Sequence, residues 1–327
     1  MATTIKGPAI FIAQFIGNDA PFNNLKDICN WAVNYGYNAV QLPTNDARFV
    51  DLKKVAESKT YADEIKGIVN QEGLEISELS TRLQGQLVAD NPAFDELFDG
   101  FAPKGFRKNP KAKSQWAIQQ LKYAAQASKN LNLNASVTFS GSLMWHTVYP
   151  FSQCPSGLVD EAFKELAIRW KPILDVYDEC GVDLCYEIHP REDLHDGATF
   201  DRFLEHVHQH PRACVLYNPL HFLLQCMDYL EFIDIYHERI KMFQVEDADF
   251  NPTGKHGAYD GFSNWNDGNR FRSLGSGHID FRSIFSKLAQ YNYDGWAVYK
   301  LEFISKCSEY GAKESANFIK NQIIKAI

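Results

Sequence analysis

Several pairs of polar residues in this chain are spaced for chemistry. Glu187 and His189, in Tyr186-Glu-Ile-His-Pro190, stand two residues apart at the end of an apolar run. Lys300 and Glu302 do the same at the end of Asp294-Gly-Trp-Ala-Val-Tyr-Lys-Leu-Glu302, as do Gln244 and Glu246 in Phe243-Gln-Val-Glu-Asp247. Strand side chains alternate faces, so the members of each pair point the same way. Carboxylates such as Glu187 and Glu302 can act as general acids and bases. An ammonium such as Lys300 can stabilise a developing negative charge. Glu, His and the amide oxygens of Asn and Gln are also metal-ligand types.

Other residues add binding chemistry. Gln41, Arg82, Gln84 and Ser140 each follow an apolar run, and Tyr217-Asn-Pro-Leu-His221 supplies Asn218 and His221. Arg272, in Arg270-Phe-Arg-Ser-Leu-Gly275, suits a hydroxyl, carboxylate or phosphate. Trp145, with Tyr149 and Phe151, reads as a lid or a sugar-stacking wall. Each has a plainer reading beside it. Glu187 and His189 could simply brace a loop, Asn218 before a proline is a good turn residue, and the arginines could be solvated. Glu246 reads as a surface residue, and His256 and His278, in Gly-rich loops, are not expected to be ligands.

Short strand-type runs alternate with longer helical patterns along the whole chain. Strands are expected over 8–15, 37–42, 74–80, 135–139, 182–188, 214–217, 240–245 and 296–301. Helices are expected over 23–35, 51–70, 111–130, 158–180, 199–208, 228–236, 280–290 and 313–327. Long loops remain over 84–110, 140–156 and 251–278. Eight β-then-α units in sequence predict an α/β fold, a (β/α)8 TIM barrel as a single domain over 1–327. A doubly wound open sheet is the alternative, but the first strand-helix turn carries no GxGxxG. In such a barrel the active site lies at the C-terminal ends of the strands, where the residues above fall.

Composition narrows the function. The chain has 327 residues, 45% hydrophobic and 23% charged, with 33 basic against 41 acidic residues and a net charge of −8. There is no Lys/Arg-rich block, so neither nucleic acid nor an anionic membrane is an expected partner. Seven scattered cysteines, an odd number without a CxxC, predict reduced thiols in a cytoplasmic protein. No signal peptide is expected, and no apolar run reaches the roughly 18 residues that span a bilayer.

The segments Leu83-Gln-Gly-Gln-Leu87, Tyr186-Glu-Ile-His-Pro190, Phe271-Arg-Ser-Leu-Gly275 and Asp294-Gly-Trp-Ala-Val298 resemble the sugar phosphate isomerase/epimerase family, with its xylose-isomerase-like TIM barrel. The resemblance implies a sugar-like small-molecule ligand and allows a homodimer. It also implies one divalent metal, manganese or magnesium, held by Glu, Asp, His and Glu from strands five to eight, two of these carboxylates doubling as acid and base. Carried over, the metal positions are Glu187, Asn218, Gln244 and Glu302, with His189 and His221 contacting substrate. Relatives often carry Glu at the position of Lys300, Lys at that of Glu246 and His at that of Arg82.

The departures alter the electrostatics. The family's ligand set carries three negative charges; here Glu187 and Glu302 leave two, and Lys300 cancels one. Metal binding should therefore weaken by several kcal/mol on a Coulomb argument. Two readings follow: an isomerase or epimerase with a weak or absent metal site, using Glu187, Glu302 and Lys300, or a catalytically inactive member that binds a carbohydrate-like ligand or a protein partner. An abasic-site nuclease, which needs a metal cluster and a basic face, is a poor match.

Overall fold

Strand segments buried on both faces, the pattern of a parallel sheet, run through the chain. The computed structural model describes residues 4–148, 154–250, 253–255, 257, 270–301 and 308–325. The strands are β1 (Lys6–Phe11), β2 (Ala39–Pro43), β3 (Glu75–Ser80), β4 (Ala135–Thr138), β5 (Asp183–Glu187), β6 (Ala213–Tyr217), β7 (Ile240–Val245), β8 (Asp247–Ala248), β9 (Phe271–Arg272) and β10 (Trp296–Tyr299). Eight of them close into a barrel in the order β1-β10-β7-β6-β5-β4-β3-β2, while β8 and β9 pair antiparallel. The (β/α)8 class expected from the sequence is the one observed.

The helices between them are α1 (Leu25–Asn34), α2 (Leu52–Glu57), α3 (Lys59–Gln71), α4 (Arg82–Gly85), α5 (Pro110–Leu131), α6 (Leu158–Cys180), α7 (Gly197–His206), α8 (Pro219–Leu224), α9 (Tyr229–Tyr236), α10 (Phe281–Gln290) and α11 (Ser308–Lys325). No described helix is long and apolar enough to cross a membrane. Local chemistry sets their ends. Asn24 caps α1 by accepting from the Asp27 N–H at 2.9 Å. The single helix expected over 51–70 is two, because Ser58 is extended and its Oγ accepts from the Tyr61 N–H to start α3. Gly181, at φ 70°, stops α6 in the left-handed conformation that glycine tolerates. The expected loop over 84–110 begins inside α4 and holds 3-10 turns over Pro92–Phe101 and Lys104–Phe106.

The chain divides into two compact units. One comprises Met1–Leu42, Lys66–Ser77 and Tyr217–Ile327. There Ile10 lies in register with Tyr299 and Val40, and Val298 with Gln244. Ala9, Phe11, Ala39, Trp296 and Val298 form an apolar cluster. The other comprises Pro43–Ile65 and Glu78–Leu216. In it Val137 pairs with Cys185 and Tyr186 with Val215.

Candidate functional site

The direction of β5 is legible from its packing. Tyr186 sits edge-on against Trp170 of α6 and Phe203 of α7, with ring centroids 4.9 and 5.3 Å apart. Its neighbour Glu187, the last residue of β5, therefore faces away from those helices. Glu187 is fully buried and meets Arg82, the first residue of α4. Arg82 Nε donates to Glu187 Oε2 over 2.5 Å, and Nη1 donates to Ser80 Oγ over 2.9 Å. The guanidinium carbon lies 6.0 Å from the Phe139 ring centroid, and the His189 ring lies 5.0 Å from the same ring. Arg82 and His189 thus flank one aromatic ring, though His189 stands beyond the strand and its Nδ1 contacts the Pro190 carbonyl.

Two further acids follow in the same loop, and the sequence reading did not single them out. Glu192 Oε2 accepts from the Gly141 N–H at 2.6 Å. Asp193 accepts from the N–H groups of Leu143 and Met144 at 2.7 and 2.8 Å. Both carboxylates are buried, at 4% exposure each. Burial, chiefly, pushes Glu192 up to about 8 and Asp193 up to about 6, against the backbone N–H groups that favour the charged forms. Together they fasten the stretch after β4 that carries Trp145, whose ring meets His195 at 5.1 Å.

A second cluster forms around Glu246, just past β7. Its expected surface position is wrong: Glu246 is 2% exposed. Asn218 Nδ2 donates to Glu246 Oε2 at 2.5 Å, and Lys300 Nζ lies 3.7 Å from the same oxygen. Asn218 also caps α8, its Oδ1 accepting from the Leu220 N–H. The next residue, Asp247, is cradled by backbone: Oδ2 accepts from the N–H groups of Gly275 and Gly277, and Oδ1 from that of Ala248, all at 2.9 Å. Burial raises its pKa against those four-fold backbone contacts, which include Ile279.

The remaining expected site residues separate by environment. Gln41, Gln244 and His221 are buried, in β2, β7 and α8. Gln84 is buried in α4 and donates to Thr44 Oγ1. Ser140 is buried and its carbonyl accepts from Trp170 Nε1. Arg272 is about one-third exposed and bound to Asp249 at 2.5 Å. Exposed His278 also faces Asp249. Glu302, Tyr149, Phe151 and His256 lie outside the described residues.

A family model described as a xylose isomerase-like TIM barrel matches residues 29–322. None of the curated proteins matches the chain. Among solved structures, 3-keto-D-glucoside 4-epimerase, YcjR, from E. coli, in its apo form, aligns with a TM-score of 0.67 at 12% identity, over 98% of this chain and 99% of that one. L-ribulose 3-epimerase aligns at 0.65 and 15%, over 100% and 96%. A xylose isomerase-like TIM barrel protein from Mycobacterium smegmatis, in complex with magnesium, aligns at 0.63 and 14%, over 100% and 99%. At these identities the likeness carries the fold alone.

Glu187 in one unit, and His221 and Glu246 in the other, are buried and of metal-ligating type. Both carboxylates, however, already carry protein partners: a guanidinium on Glu187, and an amide N–H with an ammonium on Glu246. A like charge about 4 Å away costs on the order of 4 kcal/mol per unit charge at an effective dielectric near 20. Paired in this way, neither Glu187 with Arg82 nor Glu246 with Lys300 fits a tightly held dication.

Proposed function

The chain belongs to the xylose isomerase-like TIM barrel family, and on that premise we propose that it acts on a sugar or sugar derivative by moving a proton at the carbon next to a carbonyl. One observation carries this reading. Carboxylates stand fully or almost fully buried at and just past the C-terminal ends of β5 and β7, each with a cation beside it. Burying an ion pair is a poor way to gain stability, because desolvation offsets most of the attraction. Strand ends are also where barrels of this class carry their chemistry.

In this reading Glu187 is one acid-base group, and Glu302, from the sequence, is the other. Lys300 draws the carbonyl oxygen and stabilises the charge that develops on it when the neighbouring carbon loses its proton. Gln41, Gln84, His189, His221 and Arg272 supply hydrogen bonds to hydroxyls, and Trp145 a stacking face. The neighbours named above as epimerases support the substrate class.

The test is isotope exchange. Purified protein is incubated in D2O with ketopentoses and ketohexoses, free and phosphorylated, and the carbon next to the carbonyl is followed by NMR. Exchange that vanishes in Glu187→Gln is the expected result. Binding of a ketose without exchange would favour a second reading, a non-catalytic carbohydrate-binding barrel. Asn218 and Gln244, amides at two positions where the resemblance places metal ligands, are what favours that second reading.

A further inference from the structure

We propose that Arg82 is the resident cation of this site, standing at Glu187 where a divalent metal would otherwise bind and supplying the positive charge that draws a substrate oxygen. The exclusion of metal is argued from the geometry alone; the role toward substrate rests on the sugar reading above.

The geometry is specific. Arg82 is 5% exposed and Glu187 is fully buried, so water screens neither. The guanidinium is planar and its donors are fixed in direction. Nε is committed to Glu187 Oε2 and Nη1 to Ser80 Oγ, while the Phe139 ring lies beside the guanidinium. A metal bound about 2.1 Å from the same carboxylate oxygen would lie on the order of 4 Å from Nε. Two such charges in a dry pocket exclude each other, so the pocket holds one or the other. Glu246 repeats the arrangement with an ammonium, Lys300, at 3.7 Å. Each carboxylate thus has a protein cation of its own, and neither depends on an ion to balance it.

Stability does not account for the Arg82 pair. Well-packed apolar residues in place of a buried ion pair are often neutral or stabilising. The pair also joins two segments already tied by the barrel strands β3, β4 and β5. What a buried guanidinium offers here is charge held in one place, which acts on developing negative charge without reorganising at the moment of reaction.

Chelator-treated protein titrated with Mn2+ alone in a calorimeter tests the exclusion. The wild type is expected to bind no better than about 1 mM, and Arg82→Gln to bind at least about tenfold more tightly. Arg82→Lys, which keeps a charge, is expected to remain weak. One equivalent of Mn2+ held by the wild type in the micromolar range would overturn the proposal, as would a folded Arg82→Gln that binds no more tightly than wild type. If Arg82→Gln does not fold, the wild-type titration still decides. The titration contains no sugar, so it stands or falls separately from the isotope exchange. Where exchange is seen, it is expected to persist in excess EDTA; loss of exchange on chelation would refute the catalytic half.

Discussion

Asn218 is oriented by two bonds of opposite sense. Its Oδ1 accepts from the Leu220 N–H at the start of α8, which leaves its Nδ2 to donate to Glu246 Oε2. The amide is thus fixed with a donor facing a buried carboxylate. Asn218→Asp keeps the cap, because aspartate caps as well as asparagine. It also turns an attractive contact at 2.5 Å into a carboxylate pair. The expected result is a loss of roughly 1–3 kcal/mol, the cost of leaving a buried charged group without its donor. Thermal unfolding of the variant beside wild type checks this; an unchanged melting temperature would mean that Asn218 and Glu246 are not coupled.

Stability should fall as the solution becomes more alkaline, through Glu192 and Asp193. Burial raises both folded-state pKa values, Glu192 from 4.5 to about 8 and Asp193 from 3.8 to about 6. For a raised carboxyl the contribution to stability is complete below the unfolded value. It is lost as pH climbs through the folded value, because the unfolded chain releases its proton first. Each such proton gives a slope of about 1.4 kcal/mol per pH unit within its window. Glu192→Gln removes the Glu192 proton and keeps an oxygen to accept from Gly141. Urea midpoints measured between pH 4.5 and about 8 should therefore vary less in the variant than in wild type. Parallel curves would show that Glu192 does not titrate in that window.

The barrel could be read from the chain because its signals are local. Ile240–Val245 is strand both by expectation and in the structure, and so is Leu158–Cys180 as helix, because an apolar run or a long amphipathic run ended by glycine leaves few alternatives. The polar strand ends were legible for the same reason. Their partners were not. Arg82 and Glu187 are 105 residues apart, and no local pattern announces that one will neutralise the other. A charge just past a strand is usually solvated, which is why the sequence points Glu246 to the surface; the partners it meets instead, Asn218 and Lys300, come from other strand ends. Glu192 and Asp193 escaped notice because their partners are backbone N–H groups of another loop, which side-chain sequence does not reveal. The antiparallel pairing of β8 with β9, which lies inside the loop expected over 251–278, was not legible because two-residue strands carry no periodicity.

Lys113 should anchor the insertion that precedes α5. It is fully buried, and its Nζ reaches Asp95 Oδ1 at 2.7 Å, Asp99 Oδ1 at 2.9 Å and the Asp95 carbonyl at 2.7 Å. Asp90, pushed up to about 6 chiefly by burial, lies 3.9 Å away. Lys113→Met keeps most of the volume and leaves the carboxylates without their cation. Removing one partner of a buried ionic cluster costs roughly 3–5 kcal/mol. Urea unfolding should show that loss, and limited proteolysis should cut more readily within Pro92–Phe101. A variant within about 0.5 kcal/mol of wild type would mark the cluster as energetically neutral.

Gly277 should be the least replaceable glycine beside Glu246. A Cβ there would lie 2.2 Å from Asp247 Oδ1 and 2.6 Å from the Ala248 carbonyl oxygen, and the second of these is backbone that cannot swing aside. Gly277→Ala must therefore open the cradle in which Gly275, Gly277 and Ala248 donate to Asp247. Overpacking of this kind costs about 1–3 kcal/mol. Because Asp247 follows Glu246 directly, the displacement should carry into the contact between Glu246 and Asn218. Gly254→Ala, whose Cβ would meet nothing within 4 Å among the described residues, is the control and should stay within about 0.5 kcal/mol of wild type. Calorimetric unfolding of both variants decides the matter. Equal melting temperatures would show that the cradle yields without cost, and ketose exchange reduced in Gly277→Ala alone would tie its geometry to the chemistry at Glu246.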